Sequence, residues 1–158
     1  MTHVSRTKIE ALAALEDAYR KTLLAVQDYS DKDFEAMRTR DGMTPKDVIA
    51  HLAWWNWEAP SGLERIKKDE MPYWAHIDLD ELNAGTFEER RAWPLDRVME
   101  DLRRSHDVLV AALESLTDRE FSRPTTHQYS DGTLDGGVWF SFVFIEHYEE
   151  HRLQLEAG

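Results

Sequence analysis

Four segments of the chain repeat apolar residues at the spacing of a helix. The first segment runs from about Ser5 to Tyr29, and its apolar positions recur every three or four residues, at Ile9, Leu12, Leu15, Tyr19, Leu23 and Val26. Such spacing places one apolar stripe along a single helix face. No segment shows the period-two alternation of a half-buried strand. The pattern therefore predicts an all-α protein that begins with an amphipathic helix.

The second predicted helix extends from Thr44 to about Lys68, and its start is well marked. Thr44 can accept a backbone N–H bond as the N-cap, and Pro45 suits the first helical position. Asp47 favours the positive end of the helix dipole. Pro60 lies near the middle of the segment. Because a proline ring displaces the backbone of the preceding turn, we expect a kink there.

Two more helices complete the pattern. The third is predicted from Pro94, which suits a first helical position, to about Ser115. The fourth covers residues 138–156 and is apolar nearly all round in its first half but polar in its second. It is therefore expected to begin deep in the protein and to end in solvent. The length of the chain predicts one domain, residues 1–158.

The two long connections differ in composition. Residues 69–93 contain one short helical piece, about Asp78–Arg91. Their length leaves room for a crossover, which would let the second and fourth helices pair antiparallel. Residues 116–137 are predicted to be a long loop, because Pro124 and three glycines lie there among Ser, Thr and Asp. Loops of this length are often functional.

Composition narrows the chemistry. Nineteen Lys and Arg against 31 Asp and Glu give a formal net charge of −12. This charge repels phosphate backbones and anionic lipids, so neither nucleic acid nor a membrane is expected as a partner. The chain contains no cysteine, which excludes disulfides, thiolate nucleophiles and Cys-ligated zinc. An apolar signal core and a run of roughly 20 apolar residues are both absent from the sequence, so we expect a cytoplasmic protein.

Three histidines are predicted to face the interior. At the helical angle of 100° per residue, His147 and His151 share one stripe of the fourth helix with Phe140 and Phe144. His51 lies on the buried stripe of the second helix. The distances of the three residues from their helix ends match, so antiparallel helices would bring them to one level. Three inward imidazoles at one level predict a shared site.

Such a set of imidazoles suits one divalent metal ion. Two histidines one turn apart and a third from a facing helix can bind the same ion, with nitrogens about 2.0–2.1 Å from zinc. Imidazole also suits Ni, Fe(II) and Cu, and the sequence does not select among these metals. The remaining coordination positions would stay open to water or substrate. The alternative is that these are core histidines satisfied by backbone or carboxylate hydrogen bonds.

Other polar residues are assigned by their positions. Glu58 projects close to His51, two turns further along the helix, and is a candidate general base or a hydrogen-bond partner of the ligands. Solvent exposure near the Pro60 kink is the simpler alternative for Glu58. His76 and His106 are assigned to the surface or to its boundary. His127 receives the same assignment, although it lies in the long loop before the last helix.

The tryptophans are concentrated in the second helix. Trp54, Trp55 and Trp57 lie within four positions, and three side chains at that spacing cannot all face one core. Large aromatic side chains are usually core or interface residues. Some of this group is therefore predicted to line a pocket or to form a subunit contact in a homodimer.

Two segments resemble a known superfamily. TPKDVIAHLAWWNWE and IEHYEEHRLQL are similar to the DinB/YfiT-like four-helix proteins of bacteria, whose members carry one His in an AHL-type motif and an HxxxH pair on the last helix. His51, His147 and His151 occupy those places. The segment from DELNAGTFEERR through ALESLTDREF resembles the ClbS/DfsB branch. The resemblance implies an up-down-down-up bundle, with a long crossover between helices 2 and 3, and a metal bound by the three His.

The resemblance leaves several functions open. Members of the superfamily include thiol-dependent transferases and isomerases, and the ClbS-like proteins are linked to hydrolytic disarming of a reactive toxin without a required His triad. The first hypothesis is a metal-dependent enzyme, a hydrolase or a transferase, that acts on a small electrophilic molecule with water or a low-molecular-weight thiol as nucleophile. The alternatives are a metal-independent resistance protein of the ClbS type and a non-catalytic binding or dimerisation module.

Overall fold

The computed structural model describes residues 7–157, and every regular element in that range is a helix. The eight α-helices are α1 Lys8–Ala25, α2 Asp31–Ala36, α3 Pro45–Trp57, α4 Ala59–Lys67, α5 Leu79–Arg90, α6 Leu95–Glu114, α7 Asp118–Phe121 and α8 Gly136–Ala157. A 3₁₀ turn, Tyr73–His76, lies between α4 and α5. The all-α prediction is confirmed. Within residues 7–157, no helix combines the length and apolar character needed to cross a membrane.

Hydrogen bonds at the helix ends give the directions of the bundle. At the start of α1, Lys8 donates to the carbonyl group of the second residue after α6 (2.7 Å). Just beyond the end of α1, Tyr29 donates to the carbonyl of Leu155 near the end of α8 (2.7 Å). At the start of α3, Lys46 donates to the carbonyl of Trp93 just before α6 (3.0 Å). Therefore α1 is parallel to α8 and antiparallel to α6, and α3 is parallel to α6, which is the up-down-down-up order.

The predicted second helix is divided into two. Its N-terminus is as expected, since the Thr44 side chain accepts from the backbone N–H of Asp47 (3.0 Å). However, α3 ends at Trp57 and α4 begins at Ala59, with Glu58 between them. Pro60 in the first turn of α4 has no N–H, and its ring excludes the carbonyl four residues earlier. The helix is therefore interrupted rather than only kinked.

The first predicted helix is shorter than its pattern, and a second element follows it. The predicted start at Ser5 lies outside the described residues, and α1 ends before Tyr29. The helix α2 then begins with a capping box, in which the Ser30 hydroxyl accepts from the N–H of Asp33 (3.1 Å). This short helix buries Phe34. Six residues are too few for a periodic pattern, which is why apolar spacing did not predict this helix.

The predicted long loop before the last helix also contains a helix. Thr117 caps α7 through the N–H of Glu120 (3.0 Å), and α7 buries Phe121 against α8. This packing requires a glycine in α8, because a Cβ on Gly137 would lie 2.4 Å from the backbone oxygen of Phe121. Helix α8 itself begins at Gly136, two residues earlier than predicted. Glycines that look like loop residues in the sequence here permit a close helix contact.

Candidate metal centre

The three histidines predicted to face inward lie next to one another. His51 projects from the second turn of α3, and His147 and His151 project from successive turns of α8. The Nε2 atom of His147 lies 3.0 Å from Nε2 of His51 and 3.2 Å from Nε2 of His151. One ligand atom from each of the three residues falls within 4.8 Å of the others. The antiparallel pairing of α3 and α8 therefore brings all three imidazoles to one point.

These distances are those expected between ligands of one metal ion. Two nitrogens that each lie about 2.0–2.1 Å from an ion are about 2.8–3.4 Å apart at ligand angles between 90° and the tetrahedral value. Both separations from His147 Nε2 fall in that interval, at 3.0 and 3.2 Å. The interplanar angles of 68° to 82° also turn the rings edge to face, so they do not stack over the site. The donor set fits a divalent ion.

A chain of hydrogen bonds fixes the tautomer of His151. The amide nitrogen of Gln154 donates to the Asp41 carboxylate (2.9 Å), so the Gln154 oxygen is free to accept. That oxygen accepts from Nδ1 of His151 at 2.7 Å. With the proton held on Nδ1, Nε2 of a neutral His151 carries its lone pair toward the site. Oriented ligands of this kind are typical of metal-binding histidines, whose second nitrogen donates to a polar group.

The cluster is buried at His51 and His151, partly buried at His147, and uncharged. His51 and His151 are each 7% exposed. Burial, together with the nearby His151, lowers the pKa of His51 to about 3. Burial and the two other rings hold the pKa of His147 well below its usual value. At neutral pH all three rings are therefore neutral, which leaves their lone pairs available to a cation.

One nitrogen of the cluster has no partner. Among the described residues, Nδ1 of His51 is buried without a hydrogen bond. Its ring packs face to face with Phe87 of α5, with centroids 5.3 Å apart. Most buried polar atoms in proteins are satisfied, so this nitrogen is an exception.

A cavity of about 720 Å³ opens beside the imidazoles. Its aromatic wall consists of Trp55, Trp74, Phe87 and Phe144, from four different parts of the chain. Trp74 fits there because residue 62 is glycine, since a Cβ on Gly62 would lie 2.2 Å from its ring. Four carboxylates also line the cavity, from Asp41, Asp80, Glu146 and Glu150. The site can therefore enclose a small molecule against both apolar and negatively charged surfaces.

The structure places Glu58 away from this cavity. Glu58 lies between α3 and α4 and is not one of the residues that line the cavity. Its carboxylate lies beside the hydroxyl group of Tyr73, whose pKa is raised to about 12 by burial and by the negative charge of Glu58. The catalytic role of Glu58 remains a prediction that this placement does not favour.

The other histidines have separate environments. His127 donates its Nε2 hydrogen to the carbonyl of Asp69 (2.9 Å) and so ties the loop before α8 to the end of α4. His76 is exposed in the 3₁₀ turn. His106, which was assigned to the surface or boundary, is buried at 3% exposure, and this assignment is wrong. Its two ring nitrogens contact Tyr148 and Glu16, which allows a polar ring in the core.

The tryptophans of the second predicted helix divide as expected. Trp55 lines the cavity, where its indole N–H donates to Asn83 of α5 (3.0 Å). Trp54 packs edge to face on Trp55. Trp57 is 39% exposed and donates to Asp101 of α6 (2.9 Å). One of the three lines a pocket, and a subunit contact by the others stays a prediction.

Sequence reasoning did not identify Gln154 and Asp41 as partners of the site. Gln154 lies on the same stripe of α8 as the two histidines, so its proximity to His151 was visible. Asp41 lies in the loop before α3, 113 positions away from Gln154. No local pattern links residues at that separation.

Comparison with solved structures finds the same fold in several proteins. A protein from Streptococcus pneumoniae superposes with a TM-score of 0.78 at 18% identity, covering 99% of this chain and 92% of that one. An uncharacterised protein from Escherichia coli UTI89 gives a TM-score of 0.73 at 16% identity over 98% and 93% of the two chains. At these identities the likeness establishes the fold alone. Comparison with functionally curated proteins finds no match.

A third neighbour is the colibactin self-resistance protein ClbS, in complex with double-stranded DNA. It superposes with a TM-score of 0.76 at 12% identity, over 98% of this chain and 96% of that one. Its complex with DNA does not fit the expectation, drawn from net charge, that this chain has no nucleic-acid partner. Net charge is a property of the whole surface, so it does not exclude a local contact with DNA.

Family comparison agrees with the fold. A model of the DinB superfamily matches residues 14–155, a range that contains all three clustered histidines and all of the helices except the start of α1 and the last two residues of α8. The structural neighbours share the helix order over nearly their full lengths. The resemblance seen in the AHL and HxxxH segments is therefore confirmed at the level of the superfamily. The chain belongs to the DinB superfamily.

Proposed function

We propose that this protein is a metal-dependent enzyme that acts on a small electrophilic molecule, either as a hydrolase or as a thiol-dependent transferase. His51, His147 and His151 hold one divalent ion, of Zn, Ni or Fe. The observation that carries the proposal is the convergence of three neutral imidazole nitrogens at 3.0 and 3.2 Å beside an open cavity. A divalent ion in that position supplies Lewis acidity to a substrate oxygen or to a nucleophile.

The residues of the cavity provide the remaining requirements. The aromatic wall formed by Trp55, Trp74, Phe87 and Phe144 binds the apolar part of a substrate. Glu146 and Glu150 lie on the cavity, one position before each histidine of α8. Either carboxylate can accept the proton that water or a thiol loses when it attacks. The Asp41–Gln154 pair keeps the His151 ring oriented.

The test is metal content after purification without a His-tag. Wild-type protein reconstituted with Zn²⁺, Ni²⁺ or Fe²⁺ should retain about one equivalent of metal after desalting, measured by inductively coupled plasma mass spectrometry. His147→Ala removes the nitrogen that lies between the other two, so metal affinity should fall at least 100-fold. His76→Ala, at an exposed histidine, is the control and should bind as the wild type does. Absence of bound metal in the wild type after reconstitution would refute the proposal.

A second function is favoured by the structural similarity to ClbS. In that case the protein binds or hydrolyses a reactive natural product in the same cavity without a metal. The two proposals separate in one assay with a reactive electrophile as substrate. If activity survives both chelation and His51→Ala, the metal-independent function replaces the first one. If activity is lost in both, the first proposal stands.

A further inference from the structure

The cavity beside the three histidines has an unusual charge balance. Of the 17 residues that line it, four are carboxylates and none is Lys or Arg. The chain as a whole contains 19 Lys and Arg, so positively charged side chains are available elsewhere in the protein. Because three of the four carboxylates are exposed and the fourth is half-buried, their charge makes the rim of the cavity negative.

These four carboxylates are not neutralised by other side chains. Elsewhere in the protein many acidic residues are paired with arginines, as Glu149 and Glu156 of α8 are with Arg152. On the same helix, Glu146 and Glu150 face the cavity, and within residues 7–157 neither has a Lys or Arg within ion-pair distance. The same holds for Asp80, and Asp41 accepts only from the neutral amide of Gln154. Their charge is therefore available to a bound molecule.

The rest of the cavity suits an apolar body that carries a positive charge. Trp55 and Trp74 meet edge to face with centroids 5.5 Å apart, and so present ring surface at more than one angle. Aromatic faces attract organic cations, and they do so most strongly when the cation is partly desolvated. Independently of its charge, the cavity is also lined by Phe87 and Phe144, which extend the aromatic surface beyond the two tryptophans.

We propose that the substrate of this cavity is a small organic cation, with an ammonium group held by the carboxylates and an apolar or aromatic body held by the tryptophans. This inference rests on the proposed function in one respect, that the cavity is the substrate site. A divalent ion on the three histidines offsets only two of the four negative charges, so the cavity stays negative in the metal-loaded protein. It follows that a thiol with carboxylate groups is a poor cosubstrate, and that a neutral or cationic thiol is favoured.

The experiment compares three probes of equal shape and different charge. These are 4-phenylbutylamine, 4-phenylbutan-1-ol and 4-phenylbutanoate, titrated by calorimetry into the full-length protein at low ionic strength, with and without one equivalent of Zn²⁺. The amine should bind about tenfold more tightly than the alcohol, and the carboxylate more weakly than either. The preference should shrink at 1 M salt, where charges on the cavity rim are screened to about 3 Å.

Charge-removal variants locate the preference. The triple variant Asp80→Asn, Glu146→Gln and Glu150→Gln should bring the amine to within about twofold of the alcohol. The matched control removes three exposed carboxylates outside the cavity, by Asp28→Asn, Glu89→Gln and Glu114→Gln. It changes net charge equally and should leave the preference intact.

The outcomes distinguish this inference from the proposed function. Equal binding of amine and alcohol, no binding of the amine at millimolar concentration, or equal effects of the two triple variants would overturn the inference. Metal content is measured on the same samples. If the protein holds one metal ion but shows no preference for the amine, only the inference is overturned. If it shows the preference but holds no metal, only the proposed metal site is overturned.

Discussion

Helix α8 contributes to two groups of buried polar side chains on neighbouring faces, and the two groups differ in how far their hydrogen bonds are satisfied. On the core side, the amide of Asn56 donates to the hydroxyl of Tyr148 (2.7 Å), which donates to Nδ1 of His106 (2.9 Å). Nε2 of His106 then donates to the carboxylate of Glu16 (2.9 Å). Each donor in this series has an acceptor, and the series ends at a side chain that is 63% exposed.

On the cavity side, the polar atoms mainly face one another. The Nε2 atoms of the three clustered histidines meet, and Nδ1 of His51 has no partner among the described residues. A complete network stabilises and orients the core, whereas an incomplete one needs an added group. The comparison teaches that burial of histidine does not identify a site, because His106 is more deeply buried than His51. What identifies a site is whether the ring nitrogens of the histidine have hydrogen-bond partners.

Removing the central side chain of each group should have unequal effects on stability. Tyr148 is 1% exposed, and Tyr148→Ala should lower the free energy of unfolding by about 3–5 kcal/mol, through lost packing and two unpaired partners. His147→Ala in the metal-free protein should lower it by less than about 1 kcal/mol, because it relieves an unsatisfied cluster next to an open cavity. Urea unfolding monitored by circular dichroism measures both. Equal losses would mean that the cluster is a structural network like the other one.

Protonation of His51, on the cavity side, should also make the free energy of unfolding of the metal-free protein sensitive to acid. The pKa of His51 is about 3 in the folded protein against 6.5 in the unfolded chain, so the unfolded chain takes up the proton first as pH falls. Stability should therefore decline from pH 6.5 toward pH 3. At pH 4.5 the loss of stability caused by His51 is on the order of 2–3 kcal/mol.

The measurement is the free energy of unfolding of wild type and His51→Leu at pH 7, 5.5 and 4.5. The difference between the two proteins removes the background from carboxylates, which is common to both. The variant should show the shallower decline. Parallel curves would contradict a neutral, buried His51.

The smallest expected effect concerns the hydrogen bond that orients His151. Gln154→Leu removes the acceptor of Nδ1, and Zn²⁺ affinity should fall about tenfold with little change in the stability of the metal-free protein. Competition with a chromogenic chelator measures the affinity. Gln27→Leu, at an exposed position two residues after the end of α1 and outside the cavity lining, is the control. Unchanged affinity in Gln154→Leu would show that the ring is held by packing alone.

Prediction from the sequence succeeded where one helix contains the whole signal. The apolar stripes gave the four bundle helices, and the positions of His147 and His151 on a stripe placed both toward the interior. It failed for His106, which interrupts an apolar run of α6 and was assigned outward. The partners that allow His106 to be buried, Glu16 and Tyr148, come from two other helices. A polar residue on an apolar stripe is therefore ambiguous until its neighbours are known.

By itself the sequence determined the helices, their inward faces and the common level of three histidines, because helical periodicity and capping depend on residues within a few turns. Only the tertiary structure decided which buried polar atoms find partners. Asp41 reaches Gln154 across 113 positions, and α5 brings Phe87 against His51 and Asn83 against Trp55. Hydrogen bonds and charges act over a few ångströms in space, whatever their separation along the chain. The negative, aromatic cavity beside the imidazoles exists only when these distant segments are packed together.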